Sequence, residues 1–263
     1  MVEAVINAEF QNAENKDEWF RNLRFVLVET SHPGNIGSAA RAIKTMGFGQ
    51  LVLVNPRFDN ALTHPDAVAL ASGANDVLES ALIVDSVSEA LHGCNLVAAV
   101  SARLREFSPP VVAPRKFVSE MLNGDYDRAA IIFGNEKYGL PNDIVLNSQV
   151  LINIPANPEY SSLNLAQAIQ VLAYEARMGI IEGQGENRER SSIGFRGQIA
   201  SAEQVEGMFE HFQTALVHLG FLDPENPKKL MSRLKRLFAR TQLETEEVNI
   251  MRGISKKILD RTP

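Results

Sequence analysis

The sequence predicts an α/β fold with a mostly parallel sheet, followed by a small helical domain, on three observations. Strand-like apolar runs alternate with helical segments up to about residue 181. The runs 24–29, 96–100 and 129–133 alternate too little for a sheet with one wet face, so they read as central strands. Beyond residue 200 only helical periodicity remains.

Taken in order, the chain reads as a flexible acidic arm over 1–21, an α/β domain over 22–181, a linker over 182–200 and a helical extension over 201–263. The arm holds five acidic residues against one lysine before Trp19. Strand 24–29 is followed by a helix over 35–46, whose Ile36, Ala39, Ala40, Ile43 and Met46 make one apolar stripe. Gly47 and Gly49 end it before a strand at 51–54. Short helices are expected at 66–71, 75–80 and 86–91, with a brief strand at 83–84 and a longer one at 96–100. Strand 129–133, a short helix at 142–146 and a strand at 151–154 follow. Pro155 and Pro158 bar a regular continuation, and Ser161 or Ser162 can cap the long helix that runs to about 181. The segment 182–199 has few anchoring apolar residues. Ser201 with Gln204 fits a capping box, and Val205, Met208, Phe209, Phe212, Leu216 and Leu219 supply one apolar face. Two further helices are expected near 229–239 and 244–259.

Charge divides along the same boundary. The net charge of −6 argues against a general nucleic-acid binder. Residues 1–185 carry 13 basic and 21 acidic side chains, whereas 186–263 carry 13 and 11. Within 228–240 lie Lys228, Lys229, Arg233, Lys235, Arg236 and Arg240, with no acidic residue among them. Such a field attracts phosphates; a solvated helix face has the same composition. Phe209, Phe212 and Phe238 fit the core of this extension better than base stacking. The single cysteine, Cys94, excludes an intrachain disulfide and sits in an apolar context. No apolar run reaches the ~20 residues of a membrane span, and the start lacks a secretory pattern, so a cytoplasmic protein is expected.

In a parallel sheet, ligands bind beyond the carboxyl ends of the strands. Four polar loops follow predicted strands: 29–37, 101–105, 134–139 and 155–164. Asn35-Ile-Gly-Ser-Ala-Ala-Arg41 sets a guanidinium two turns into a helix. That group offers a planar fork of donors to a phosphate or a developing oxyanion, and guanidinium groups are poor general bases. Phe133-Gly-Asn-Glu-Lys-Tyr-Gly139 is a glycine-bounded turn, unlike a dinucleotide fingerprint or an ATPase phosphate loop. The five histidines lack ligand spacing, so no metal is expected.

These segments, with Ile154-Pro155 and Asn157-Pro-Glu-Tyr-Ser-Ser-Leu-Asn-Leu165, resemble the motifs of the SpoU branch of the SPOUT RNA methyltransferases. Glu29-Thr-Ser-His32 and Thr45-Met-Gly47 strengthen a nearer resemblance, to enzymes that methylate the ribose of cytidine or uridine at tRNA nucleotide 32. The resemblance implies a deep trefoil knot, S-adenosyl-methionine as donor with S-adenosyl-homocysteine as product, tRNA as partner and a homodimer. It assigns Arg41 to the RNA 2′-hydroxyl, in a site that the second subunit can complete. Asn35, Glu136, Tyr160, Ser162 and Asn164 fall on the substrate side, with Glu136 supporting the loops. Ser101, Ala102, Gly134, Asn135, Gly139, Ile154, Ser162, Leu163 and Leu165 would enclose the donor. The basic residues of 228–240 would hold RNA backbone. A ribosomal RNA methyltransferase of the same fold and a non-catalytic RNA-binding assembly factor are the alternatives.

Overall fold

The computed structural model describes residues 18–105, 107–182 and 197–260. The acidic arm before residue 18 and most of the expected linker lie outside them.

Seven strands form one sheet: β1 (Leu23–Val28), β2 (Gln50–Val54), β3 (Leu82–Val84), β4 (Leu96–Val100), β5 (Val111–Val112), β6 (Ala129–Phe133) and β7 (Val150–Ile152). Their order is β3-β2-β1-β6-β4-β7-β5, and every pairing is parallel. The helices of this part are α1 (Pro33–Thr45), α2 (Pro65–Ala71), α3 (Asn75–Glu79), α4 (Val87–Ala90), α5 (Pro114–Asn123), α6 (Asn142–Asn147) and α7 (Leu165–Glu182). They cover both faces, which is why the central strands can be apolar throughout. β6 (AAIIF) is buried at every residue.

Alternation splits each strand between two cores. Phe25, Leu27, Leu53, Ala98, Ile131 and Phe133 face the side covered by α1, α5 and α7. Val26, Val28, Val52, Val97, Ala99, Ile132 and Leu151 face the side of α4 and α6, where Cys94 is also buried. α1 approaches α2 at Gly37, where an added Cβ would stand 2.0 Å from the Ala67 carbonyl oxygen. Only glycine permits that separation.

β7 lies between β4 and β5, although β4 and β5 are consecutive along the chain. The 101–110 connection therefore spans the carboxyl edge across β7. The chain reaches β7 from α6 on one face and leaves it for α7 on the other. That passage is the threading that a trefoil knot demands, an exception to ordinary connection rules.

The remaining helices are α8 (Ala202–His218), α9 (Leu230–Phe238) and α10 (Thr245–Leu259). The capping box expected at Ser201 and Gln204 is formed, and Glu244 with Glu247 makes a second one on α10. Met208, Phe209 and Val248 form the enclosed centre with Ala200, and Phe238 meets Phe209 edge-on at 5.7 Å. The extension docks on the sheet domain through the Ala202 N–H, which donates to the Cys94 carbonyl at 3.0 Å.

Several expectations are corrected. Residues 18–22 are helical, Trp19 is buried in the main core, and Phe20 packs on Phe48 with ring centroids 5.1 Å apart. The packed domain thus begins inside the stretch expected as arm. β5 and α5 were not foreseen between residues 105 and 129. Leu219 is 57% exposed instead of joining the apolar face of α8. Asn164, and neither Ser161 nor Ser162, caps α7. Its Oδ1 accepts from Ala166 N–H at 2.9 Å, while Gln167 Oε1 accepts from Asn164 N–H at 3.2 Å.

Candidate active site

Since all strands are parallel, the loops after β1, β4, β6 and β7 leave the same edge of the sheet. Three of them are linked through the Glu136 carboxylate and Asn35. Glu136 Oε2 accepts from the Ser31 N–H at 3.0 Å and the Ser31 hydroxyl at 2.8 Å. Its Oε1 accepts from Asn35 Nδ2 at 2.9 Å. Asn35 Oδ1 in turn accepts from Asn164 Nδ2 at 3.0 Å. Residues more than a hundred positions apart are so held in one polar chain, Glu136–Asn35–Asn164. Burial alone would raise the Glu136 pKa, but hydrogen bonds from Asn35 and Ser31 outweigh it and the value is lowered. This carboxylate therefore stays ionised and binds the loops together, in a supporting role.

The turn after β6 has its own constraints. A Cβ on Gly134 would lie 2.2 Å from the carbonyl carbon of Gly139, and Gly139 takes φ +70°. Both glycines are thus required by the backbone. Asn135 is buried; its Nδ2 donates to the Glu29 carbonyl at 2.6 Å and its Oδ1 accepts from Lys137 and Tyr138 N–H groups. Glu29 itself has φ +51° and pairs with Arg57. A non-glycine in that region at a strand end is stored strain at the edge where the loops converge.

Ser101 and Ala102 are tied to the turn after β7. Asn153 Nδ2 donates to their carbonyls at 2.9 and 3.3 Å, and the Ser101 N–H donates to Ile152 O at 3.1 Å. Ile154 and Leu163 are partly buried and Leu165 is buried beside them in sequence. Tyr160 is 80% exposed and Ser162 is exposed; neither side chain has a hydrogen-bond partner among the described residues.

Arg41 stands apart. It is exposed on α1, without a side-chain partner among the described residues, six positions beyond Asn35. That spacing is about 9 Å along the axis and about 120° away around it. Arg41 makes no hydrogen bond to the polar chain among the described residues. The two helices packed against α1 carry exposed apolar side chains: Val68 and Leu70 on α2, and Tyr174 and Ile181 on α7.

The basic extension divides in two. Lys228, Lys229, Arg233, Arg236 and Arg240 are exposed at and around α9. Lys229 Nζ lies 4.8 Å, and Arg233 Cζ 5.8 Å, from the ring centroid of Phe107 in the 101–110 loop. Lys235 departs from the expected phosphate-facing set. It hydrogen-bonds Asn147 at the end of α6 and covers the Phe209 ring at 5.7 Å, and burial lowers its pKa. Its bond to Asn147 commits it to the domain contact.

Sequence reading missed Ser31, Asn153 and Arg105 as site residues. The polar run Glu29-Thr-Ser-His32 carried a signal for the first. Three cavities, of about 910, 640 and 820 Å³, lie toward the amino edge of the sheet, away from these loops. No cluster of His, Cys, Asp and Glu suited to a metal occurs among the described residues.

Residues 22–174 match the SpoU rRNA Methylase family, and residues 203–262 match the C-terminal domain of tRNA methyltransferase TrmJ. The tRNA (cytidine/uridine/adenosine-2′-O-)-methyltransferase TrmJ of Pseudomonas aeruginosa (strain UCBPP-PA14) is 46% identical over 242 residues, covering 88% of this chain and 91% of its own length. The tRNA (cytidine/uridine-2′-O-)-methyltransferase TrmJ of Pectobacterium atrosepticum is 43% identical, with 90% and 96% covered. The crystal structure of TrmJ from Z. mobilis ZM4 superposes with a TM-score of 0.75 at 30% identity, covering 90% of this chain and 99% of that one. With a family model spanning more than half its length and relatives of this identity, the chain belongs to the SpoU methylase family.

Proposed function

We propose that this protein transfers a methyl group from S-adenosyl-methionine to the ribose 2′-hydroxyl of cytidine or uridine in tRNA, at nucleotide 32 of the anticodon loop, as a cytoplasmic homodimer. The observation that carries this reading is the succession of a SpoU methylase domain and a TrmJ-type C-terminal domain in one chain. No helix among the described residues is long and apolar enough to cross a membrane.

The carboxyl-edge loops fit the donor chemically. Ser101, Asn135, Asn153 and Ser162 bring neutral polar groups, Ile154, Leu163 and Leu165 bring apolar surface, and the carboxylate of Glu136 is already engaged by three donors. When bound, S-adenosyl-methionine supplies an electrophilic methyl group on sulfonium. Ser101, Ala102, Gly134, Asn135, Gly139, Ile154, Ser162, Leu163 and Leu165 would hold it, and the fixed backbone would remove orientational freedom from the reacting pair.

Arg41 serves the RNA. Its guanidinium stabilises the 2′-oxygen as that atom gains negative charge and grips the adjacent phosphate. Water or phosphate receives the proton, since a guanidinium holds its own. Its distance from the polar chain along α1, together with the apolar side chains exposed on α2 and α7, supports delivery across the dimer, into the partner's donor site. Asn35, Tyr160, Ser162 and Asn164 line the approach of the ribose. Lys228, Lys229, Arg233, Arg236 and Arg240 hold backbone phosphates away from the reacting sugar.

The test is a methyl-transfer assay with matched tRNA and ribosomal RNA fragments, followed by mapping of the modified sugar. The expected product is 2′-O-methylation at nucleotide 32 of tRNA. Modification of ribosomal RNA alone, in keeping with the description of the family model, would overturn the substrate assignment. Absence of transfer to either would leave an RNA-binding assembly factor.

A further inference from the structure

The 101–110 loop contains a side chain that no motif accounts for. Arg105 is partly buried and its guanidinium spans two loops at once. Nη2 donates to the Leu140 carbonyl at 2.7 Å and Nε donates to Asn142 Oδ1 at 2.6 Å, both in the segment that follows Gly139. Nη1 turns back to the Ser101 hydroxyl at 3.3 Å, in its own loop. Its remaining interactions close that loop. The Arg105 N–H donates to Ser108 Oγ at 3.1 Å, and Nη1 also reaches the Arg103 carbonyl at 3.5 Å. A planar fork of this kind fixes distance and angle together, which a lysine at the same place does not. The two loops it joins hold Ser101, Ala102, Gly134, Asn135 and Gly139, all of them residues assigned to the donor.

The joint is supported from outside by the extension. Phe107, two residues further on, lies under Lys229 and Arg233 of the α9 region. Lys235 of the same helix bonds Asn147, at the far end of the helix that Asn142 begins. One basic helix thus touches the 101–110 loop and the far end of the helix that leaves the 139–142 turn. An aromatic ring beneath two cations is an attractive contact that is independent of side-chain hydrogen bonding.

We propose that Arg105 is a positioning residue for the methyl donor: its guanidinium locks the 101–105 turn to the 139–142 turn, and α9 braces that joint through Phe107. The inference rests on the donor-site reading given above. It adds a second duty to the extension, which supports the donor loops as well as the RNA.

The full chain is titrated calorimetrically with S-adenosyl-homocysteine and, separately, with tRNA, and urea unfolding is followed for the same proteins. Arg105→Ala and Arg105→Lys are both expected to weaken S-adenosyl-homocysteine by about tenfold, the scale of losing hydrogen bonds to a charged group. tRNA affinity and the urea midpoint should hold. Phe107→Leu should weaken the same ligand by about threefold, with Phe107→Tyr retaining wild-type affinity because the ring face is kept. Arg105→Ala binding S-adenosyl-homocysteine as tightly as the unaltered chain would overturn the proposal. So would parallel loss of S-adenosyl-homocysteine, tRNA and urea resistance, the mark of a merely structural role. Failure of the unaltered chain to bind S-adenosyl-homocysteine would instead remove the donor-site reading, and this inference with it.

Discussion

The sheet domain and the helical extension solve the problem of a binding surface in opposite ways. The sheet domain has two enclosed cores and strands buried on both faces, so its carboxyl-edge loops leave a rigid base. The extension has a smaller enclosed set, Ala200, Met208, Phe209, Ala215, Leu216, Leu222, Val248 and Ser255, and α9 has no buried residue at all. A long cation, Lys235, covers one of its aromatic rings, Phe209, alongside the apolar packing. A reacting atom must be placed to a fraction of an ångström, and that requires the rigid base. A phosphate backbone can be held by mobile charges on a thinly packed helix.

The contrast is broken or sharpened by four measurements. The largest effect belongs to the sheet core. Phe133→Ala removes a ring stacked near Phe25, with centroids 6.4 Å apart, and should destabilise the protein by about 3–5 kcal/mol in urea unfolding. Met208→Ala in the extension should fall at or below the lower end of the buried range, about 2 kcal/mol, because the smaller core can collapse onto the gap. Equal losses would deny the difference in packing.

Next in size is Arg41→Lys. If a geometrically defined guanidinium is needed, single-turnover methyl transfer should drop about a hundredfold with tRNA affinity little changed. Normal transfer in this variant would remove Arg41 from the chemistry.

Glu136 supplies a pH test of smaller size. Its pKa is lowered in the folded protein from an ordinary 4.5, so its contribution is fully present above that value. It is lost as pH falls through the lowered folded value. Stability measured from about pH 7 downward should therefore decline at the acid end, and Glu136→Gln should flatten that decline. An identical acid limb in the variant would show that the carboxylate does not hold the loops.

The smallest effect is expected in the extension. Replacing Arg236 and Arg240 by serine should reduce the dependence of log affinity for tRNA on log salt by about 1–2, with a several-fold loss at low salt that fades at high salt. A loss independent of salt would argue for a packing role instead.

Legibility in the sequence follows the same division. The central strands and the long helix were readable because burial on two faces leaves unbroken apolar runs, as in β6. β5 was not, being two residues that pair with β7 alone. Helix α5 follows it with Pro114 at its start and Phe117, Val118 and Met121 inward, a signal present but overlooked. Trp19 was hidden by acidic neighbours, since charge pattern describes a segment and not its one anchoring ring. At the site, the motifs located the loops but not their partners. That Glu136 meets Ser31 and Asn35, or that Arg105 meets Leu140 and Asn142, depends on tertiary closeness that local pattern does not carry. In the same way, Lys235 looks like its neighbours on a charge count and differs only by lying against Asn147 and Phe209.

Hydrogen-exchange mass spectrometry of the full chain with and without S-adenosyl-homocysteine addresses the donor site most directly. Protection is expected in 101–105, 134–140 and 153–165, three segments distant in sequence and adjacent at one edge of the sheet. Protection confined instead to the cavity of about 640 Å³ lined by Val97, Ile144, Phe209 and Leu243 would place the ligand at the opposite edge and contradict the account.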